Sequence, residues 1–132
     1  MQNDAALINL TVLSGGRLVL WVALDTYIQG TSGGSAFTIS SGSVSGYTVA
    51  SGNSLIITRD CTASSTVINA GGYLSVQKGG AFDSSGGTAI NTTVKPNGIL
   101  SVNGASIADY VTVSSGGRLI VQAGGTATNI TS

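Results

Sequence analysis

The chain has 132 residues, 42% of them apolar, enough for one domain with a filled core but not for two. Only 8% are charged, against about 25% in an average globular chain; five basic residues (Arg17, Arg59, Lys78, Lys95, Arg118) cancel five aspartates (Asp4, Asp25, Asp60, Asp83, Asp109) to a net charge of zero. With no cluster of lysine and arginine to displace counterions from phosphates, nucleic acid is excluded as a partner, and nothing attracts an anionic membrane surface.

The N-terminus lacks a basic region followed by an apolar run, so no signal peptide is expected in it. A first strand–turn–strand phrase follows, Val12-Gly16-Leu18-Leu20: a β-branched anchor, glycine four residues on, and apolar residues at plus six and plus eight. The apolar run Leu18–Leu24 is seven residues long, far short of the roughly 20 that a spanning helix needs, so no membrane insertion by this segment is expected. Residues 21–48 fit the phrase poorly. Trp21, Tyr27 and Phe37 are large and suited to covering an open core, and Gly30–Ser35 reads as a loop.

The phrase then returns four times, as Val49-Asn53-Leu55-Ile57, Ile68-Gly72-Leu74-Val76, Val94-Gly98-Leu100-Val102 and Val113-Gly117-Leu119-Val121. Anchors lie 19 residues apart from Val49 to Ile68 and from Val94 to Val113. The 37 residues from Val12 to Val49 are close to two periods, and the 26 from Ile68 to Val94 are one period plus a loop around Ala81–Ser85. One period beyond Val113 falls on Ser132, so the sequence reads as a piece of a longer array.

Within each phrase the apolar residues alternate, as in Leu119-Ile120-Val121, the period-two pattern of a strand with one buried face. Helix is disfavoured, because paired glycines such as Gly71-Gly72 and Gly116-Gly117 interrupt the chain and each glycine costs about 1 kcal/mol relative to alanine in a helix interior. One unit cannot bury its apolar face alone, whereas stacked units bury a continuous core. The expected fold is an all-β parallel β-helix, right-handed, of about 19-residue strand–loop–strand coils. Coils spaced about 4.8 Å apart would give six or seven coils and a rod on the order of 30 Å long. We expect a single β-solenoid domain over 1–132, with irregular N-terminal coils or a cap over 1–48 and regular repeats over 49–132.

The segments Thr112-Val-Ser-Ser-Gly-Gly-Arg-Leu-Ile-Val-Gln-Ala-Gly-Gly-Thr-Ala-Thr-Asn-Ile-Thr131 and Gly86-Gly-Thr-Ala-Ile-Asn-Thr-Thr-Val94 closely resemble the strand–loop–strand repeats of self-associating autotransporter passengers, the AIDA-type adhesins of Gram-negative bacteria. The resemblance is good over about 49–132, fair at 11–20 and poor over 21–48. It implies a secreted passenger displayed on the outer membrane by a separate β-barrel, promoting self-association, aggregation, adhesion and biofilm growth. It also implies O-heptosylation by a dedicated heptosyltransferase on serines of the turn. By position the acceptors are Ser14, Ser51, Ser114 and Ser115; the equivalent places at Ala70 and Asn97 lack a hydroxyl. Neither the export signal nor the barrel is recognisable in this sequence, so export would depend on segments outside it. Partners implied are copies of itself, a heptosyltransferase, and host or bacterial surface glycans.

An enzyme is not expected. Without histidine or glutamate, a nucleophile triad or paired-carboxylate hydrolase would have to be built from aspartates, and Asp60, Asp83 and Asp109 do not recur at the period. No cofactor is expected. The sole cysteine, Cys61, rules out an internal disulfide and a cysteine-based metal site, and reads as a core filler. Repeated Gly-Gly-x-Gly-x-Asp, the calcium-binding solenoid motif, is absent. Tyr47, Tyr73 and Tyr110 stand at differing offsets from the anchors and read as packing residues rather than a carbohydrate face. The N-x-T triplets at Asn9, Asn91 and Asn129 read as chance matches or asparagine ladders. The alternative function is a carbohydrate-binding or polysaccharide-cleaving β-helix protein.

Overall fold

The computed structural model describes residues 6–12, 19–22, 27–32, 35–40, 42–77 and 86–132. Every regular element among them is a strand. Strands β1 (Ala6–Val12) and β2 (Val19–Val22) come first, then β3 (Tyr27–Ser32), β4 (Ser35–Ser40) and β5 (Ser43–Ser45). The next coils supply β6 (Thr48–Val49), β7 (Ser54–Ile57), β8 (Thr62–Ser64), β9 (Val67–Ile68) and β10 (Tyr73–Val76). Beyond the insertion lie β11 (Thr88–Val94), β12 (Ile99–Val102), β13 (Ile107–Val113), β14 (Arg118–Val121) and β15 (Thr126–Thr131).

Successive coils pair in parallel and in register, which makes the expected β-solenoid. The smaller sheet runs β2-β7-β10-β12-β14, and the larger stacks β5, β8, β11, β13 and β15, with β6 and β9 carrying the same stack past a corner. The repeat positions become rungs: Leu55, Leu74, Leu100 and Leu119 align, as do Ile57, Val76, Val102 and Val121. The anchors Val49, Ile68, Val94 and Val113 line up across the larger sheet. Leu55, Leu74, Leu100, Val49, Ile68 and Val94 are fully buried. Ala63, Ala89, Ala108 and Ala127 form a row of small residues in the same core.

Two expectations about coil number are corrected. Strand β2 pairs directly with β7, Val19 opposite Ser54, so the stretch from Val12 to Val49 is one solenoid step and not two. The surplus residues are spent on an antiparallel excursion, β3 against β4 and β4 against β5, before β5 rejoins the parallel stack on β8. The smaller sheet therefore has five strands instead of six or seven. Of the large residues in this region, Phe37 packs edge-on against Tyr47 (centroids 4.6 Å apart, planes at 82°), and both are buried. Trp21 is in register with Ile56, and Tyr27 is partly exposed. The loop expected around Ala81–Ser85 lies outside the described residues.

The glycine at anchor plus four is a packing requirement. A Cβ on Gly98 would lie 2.9 Å from the Ile68 carbonyl oxygen and 3.0 Å from that of Asn69; on Gly117 it would lie 2.9 Å from the Val94 oxygen. Each turn is thus seated on the backbone of the coil before it. A side-chain ladder reinforces the stack. Asn103 Nδ2 donates to Ser75 Oγ (3.2 Å), Ser75 Oγ to Gln77 Oε1 (3.0 Å), and Ser101 Oγ to Asn103 Oδ1 (3.3 Å). By contrast, the buried hydroxyls of Thr66 and Thr92 have no hydrogen-bond partner.

Two substitutions probe these features in equilibrium urea unfolding. Gly98→Ala should lose about 1–3 kcal/mol, as overpacking against backbone does. Thr66→Val should gain about 1 kcal/mol, because a buried hydroxyl without a partner is removed and valine already occupies the equivalent place at Val111. An unchanged or raised midpoint for Gly98→Ala would show that the turns are not tightly seated.

Candidate functional site: the turn column and the left-handed corner

Two columns of left-handed, positive-φ residues run along the solenoid, and both are dictated by backbone. The first is the turn after each anchor. Asn53, Gly72, Gly98 and Gly117 each donate an N–H to the carbonyl three residues earlier, at 2.8–3.0 Å, and the residue between them, Gly52, Gly71, Asn97 or Gly116, has φ of 67–89°. This is the type II pattern, which needs a residue tolerant of positive φ at its third position. Gly52 N–H donates to Gly71 O, Gly71 N–H to Asn97 O, and Asn97 N–H to Gly116 O, tying the turns into a column.

That column locates the serines. Ser51 and Ser115 occupy the same corner, and the equivalent residues are Ala70 and Pro96. Asn97 is corrected: it stands in the glycine place, because asparagine adopts the left-handed region that the turn demands. Ser115 is exposed, whereas Ser51 and Ser114 are half-buried; Ser51 Oγ sits 2.7 Å from where a Cβ on Gly71 would be. A shallow recess of about 600 Å³ lies beside Ser51, bordered by Asn69, Ala70, Lys95, Pro96 and Asn97. Ser14 lies outside the described residues.

The second column interrupts the larger sheet. Gly46, Ser65, Asn91, Tyr110 and Asn129 all have positive φ, between 52° and 73°, and each lies three residues before an anchor position. The left-handed residue shifts the alternation by one, so that Ala89, Thr92 and Val94 all point inward within one strand. The column's trace in the sequence is partial, glycine or asparagine at three of its five positions. The triplets at Asn91 and Asn129 belong to it. Tyr110 stands out among them, because a left-handed backbone costs a residue with a Cβ roughly 1–2 kcal/mol and bulky residues are rarely found there.

Beside this column Thr93, Thr112 and Thr131 are in register. The two rows bound a groove of about 280 Å³ whose lining also includes Thr92. Asp109, next to Tyr110, accepts hydrogen bonds from Thr128 Oγ1 (2.9 Å) and Asn129 Nδ2 (2.8 Å). These bonds hold its carboxyl below the usual range, Asn129 contributing most.

The tyrosines separate: Tyr47 is core, Tyr73 half-buried and Tyr110 58% exposed. Asp60 and Asp109 stand apart, one in a turn and one on the outer face of β13. Asp4, Asp25 and Asp83 lie outside the described residues, as does Asn9's side chain. Among the described residues no three His, Cys, Asp or Glu side chains gather as metal ligands would. Cys61 is fully buried in the core, its thiol donating to the Arg59 carbonyl at 3.4 Å. Burial pushes the thiol pKa up, opposed in part by hydrogen bonding with Thr58, while the charge of Asp60 raises it further and that of Arg59 lowers it slightly. A raised pKa disfavours the thiolate in the folded state. Cys61 should therefore resist a chromogenic disulfide reagent at neutral pH and react stoichiometrically once urea unfolds the chain; rapid reaction of the folded chain would contradict its placement.

Residues 29–85 match a family described as adhesin of the bacterial autotransporter system, probable stalk. The chain is also similar to a crystal structure of a TibA fragment hyper-glycosylated by TibC, with 29% identity, a TM-score of 0.62 and 94% of this chain covered. It spans 43% of the length of that fragment's chain. No curated protein matches it.

Proposed function

We propose that the chain is an AIDA-type autotransporter passenger and acts at the bacterial surface as an adhesive rod that associates laterally with copies of itself. The observation that carries this reading is the outer face of the larger sheet. Two in-register rows run along it, Ser43–Thr62–Thr88–Ile107–Thr126 and Ser45–Ser64–Ile90–Asp109–Thr128. Nine of those ten side chains carry no charge. Hydroxyls repeated at the coil spacing can pair with the same repeat on a neighbouring rod, and each weak bond is multiplied along the axis. Zero net charge removes the long-range repulsion that would keep rods apart. Aggregation and biofilm growth would follow from the same contacts between cells.

At one end the rows reach β15, an edge strand of the larger sheet, and such edges can also associate. Analytical ultracentrifugation of this chain, and of a version extended by capping coils at both ends, separates the two contacts. Reversible association of both at micromolar concentration, little altered by salt, is expected. Loss of association on capping would assign it to the edges and overturn the lateral reading.

We further propose that Ser51, Ser114 and Ser115 accept heptose from a heptosyltransferase, Ser115 most readily. The exposed corner of the turn column and the recess beside it support this, as does the glycosylation of the similar TibA fragment. Co-expression with such a transferase should raise the intact mass by whole sugar units, and Ser115→Ala should remove at least one. An unchanged mass would remove the acceptor reading.

A further inference from the structure

We propose that the groove along Asn91, Tyr110 and Asn129 binds a neutral saccharide chain, with the Tyr110 ring as its stacking platform. This goes beyond lateral association, which uses the rows on the other side of the corner, and does not rest on it.

Four observations converge on the groove. The first is Tyr110 itself. Its neighbours in the column are asparagines, which tolerate the left-handed backbone, yet here a large ring is held at φ 56° and left 58% exposed. Strain of this kind persists where a side chain is needed in a particular place. A ring displayed on a polar surface offers a flat apolar face, and a pyranose presents a matching face of C–H groups.

The second is the pair of amides on either side of that ring, one coil above and one below. Asn129 is oriented in advance, because its Nδ2 donates to Asp109 Oδ1 at 2.8 Å. That bond turns the amide so that its carbonyl oxygen and second N–H remain for a ligand. A fixed donor and acceptor beside an aromatic ring suit the vicinal hydroxyls of a sugar.

The third is the hydroxyl row Thr93–Thr112–Thr131, parallel to the amides. The buried Thr92, whose hydroxyl has no partner, contributes to the lining. Rows that repeat at the coil spacing of about 4.8 Å fit a polymer whose units are of comparable length better than a single compact ligand.

The fourth is charge. No Asp, Lys or Arg side chain is in the lining, and the carboxylate of Asp109, beside Tyr110, is already engaged by Thr128 and Asn129. Anionic polysaccharides gain no counter-charge there and meet repulsion from Asp109. The class selected is a neutral glycan.

The test is a titration of the ¹⁵N-labelled chain with neutral oligosaccharides of glucose, galactose and mannose, and with a sulfated oligosaccharide as the anionic arm. Expected are millimolar-range shifts of the Asn91 and Asn129 side-chain amides and the Tyr110 backbone with at least one neutral sugar. Tyr110→Asn keeps the column's geometry, so it should fold with a raised unfolding midpoint, sediment as the parent does, and bind about tenfold more weakly, as loss of one good stacking contact implies. No shift with any neutral oligosaccharide would overturn the proposal. So would equal binding by Tyr110→Asn, or tighter binding of the sulfated sugar. If Tyr110→Asn instead loses self-association and no sugar binds, the ring belongs to the lateral contact and the saccharide site is refuted.

Discussion

Hydrogen bonding between coils without slip is the constraint on which everything else in this molecule depends. Once Leu74 lies opposite both Leu55 and Leu100, each side chain is committed to a row, and each row must be chemically uniform or nearly so. Inward rows become aliphatic ladders; outward rows become runs of threonine, serine or asparagine. The same constraint forces glycine where a turn touches the previous backbone, because backbone-to-backbone contact leaves no room for a Cβ.

Uniform rows also explain how a nearly uncharged chain can fold. In a typical globular protein charges are scattered over the surface. Here charge would be repeated at every coil if it occupied a row, and like charges one coil spacing apart would repel. Hydroxyls and amides avoid that penalty. They also leave the surface ready to pair with an identical surface, so the economy that allows stacking is what supports the adhesive reading.

The inward rows were legible in the amino-acid sequence because they depend on residue type: β-branched anchors and leucines at fixed offsets have few alternatives. Glycine at anchor plus four was legible for the same reason. The left-handed corner was not, because Gly46, Ser65, Asn91, Tyr110 and Asn129 share a backbone state and no side-chain chemistry. Asn97 belongs to the glycine place by its offset of three from Val94, the same offset that Gly71 has from Ile68, and hydrogen bonding confirms it. The antiparallel excursion of β3 to β5 was hidden by arithmetic: its length imitated a second period. For the site, the serine positions could be read from the turn phrase, whereas the groove needed three distant residues brought to one column.

The coil-to-coil bonds point along the solenoid axis. A pull on the two ends of such a rod therefore loads those bonds in tension, and the weakest interface carries the same force as every other. Ladders such as Ser75–Asn103 cross interfaces in the same direction and stiffen them locally. Because each coil contacts only its neighbours, failure at one interface need not spread through the whole stack. A rod built this way would lengthen in discrete steps, one coil at a time, so that each step limits the peak force until the next interface is loaded.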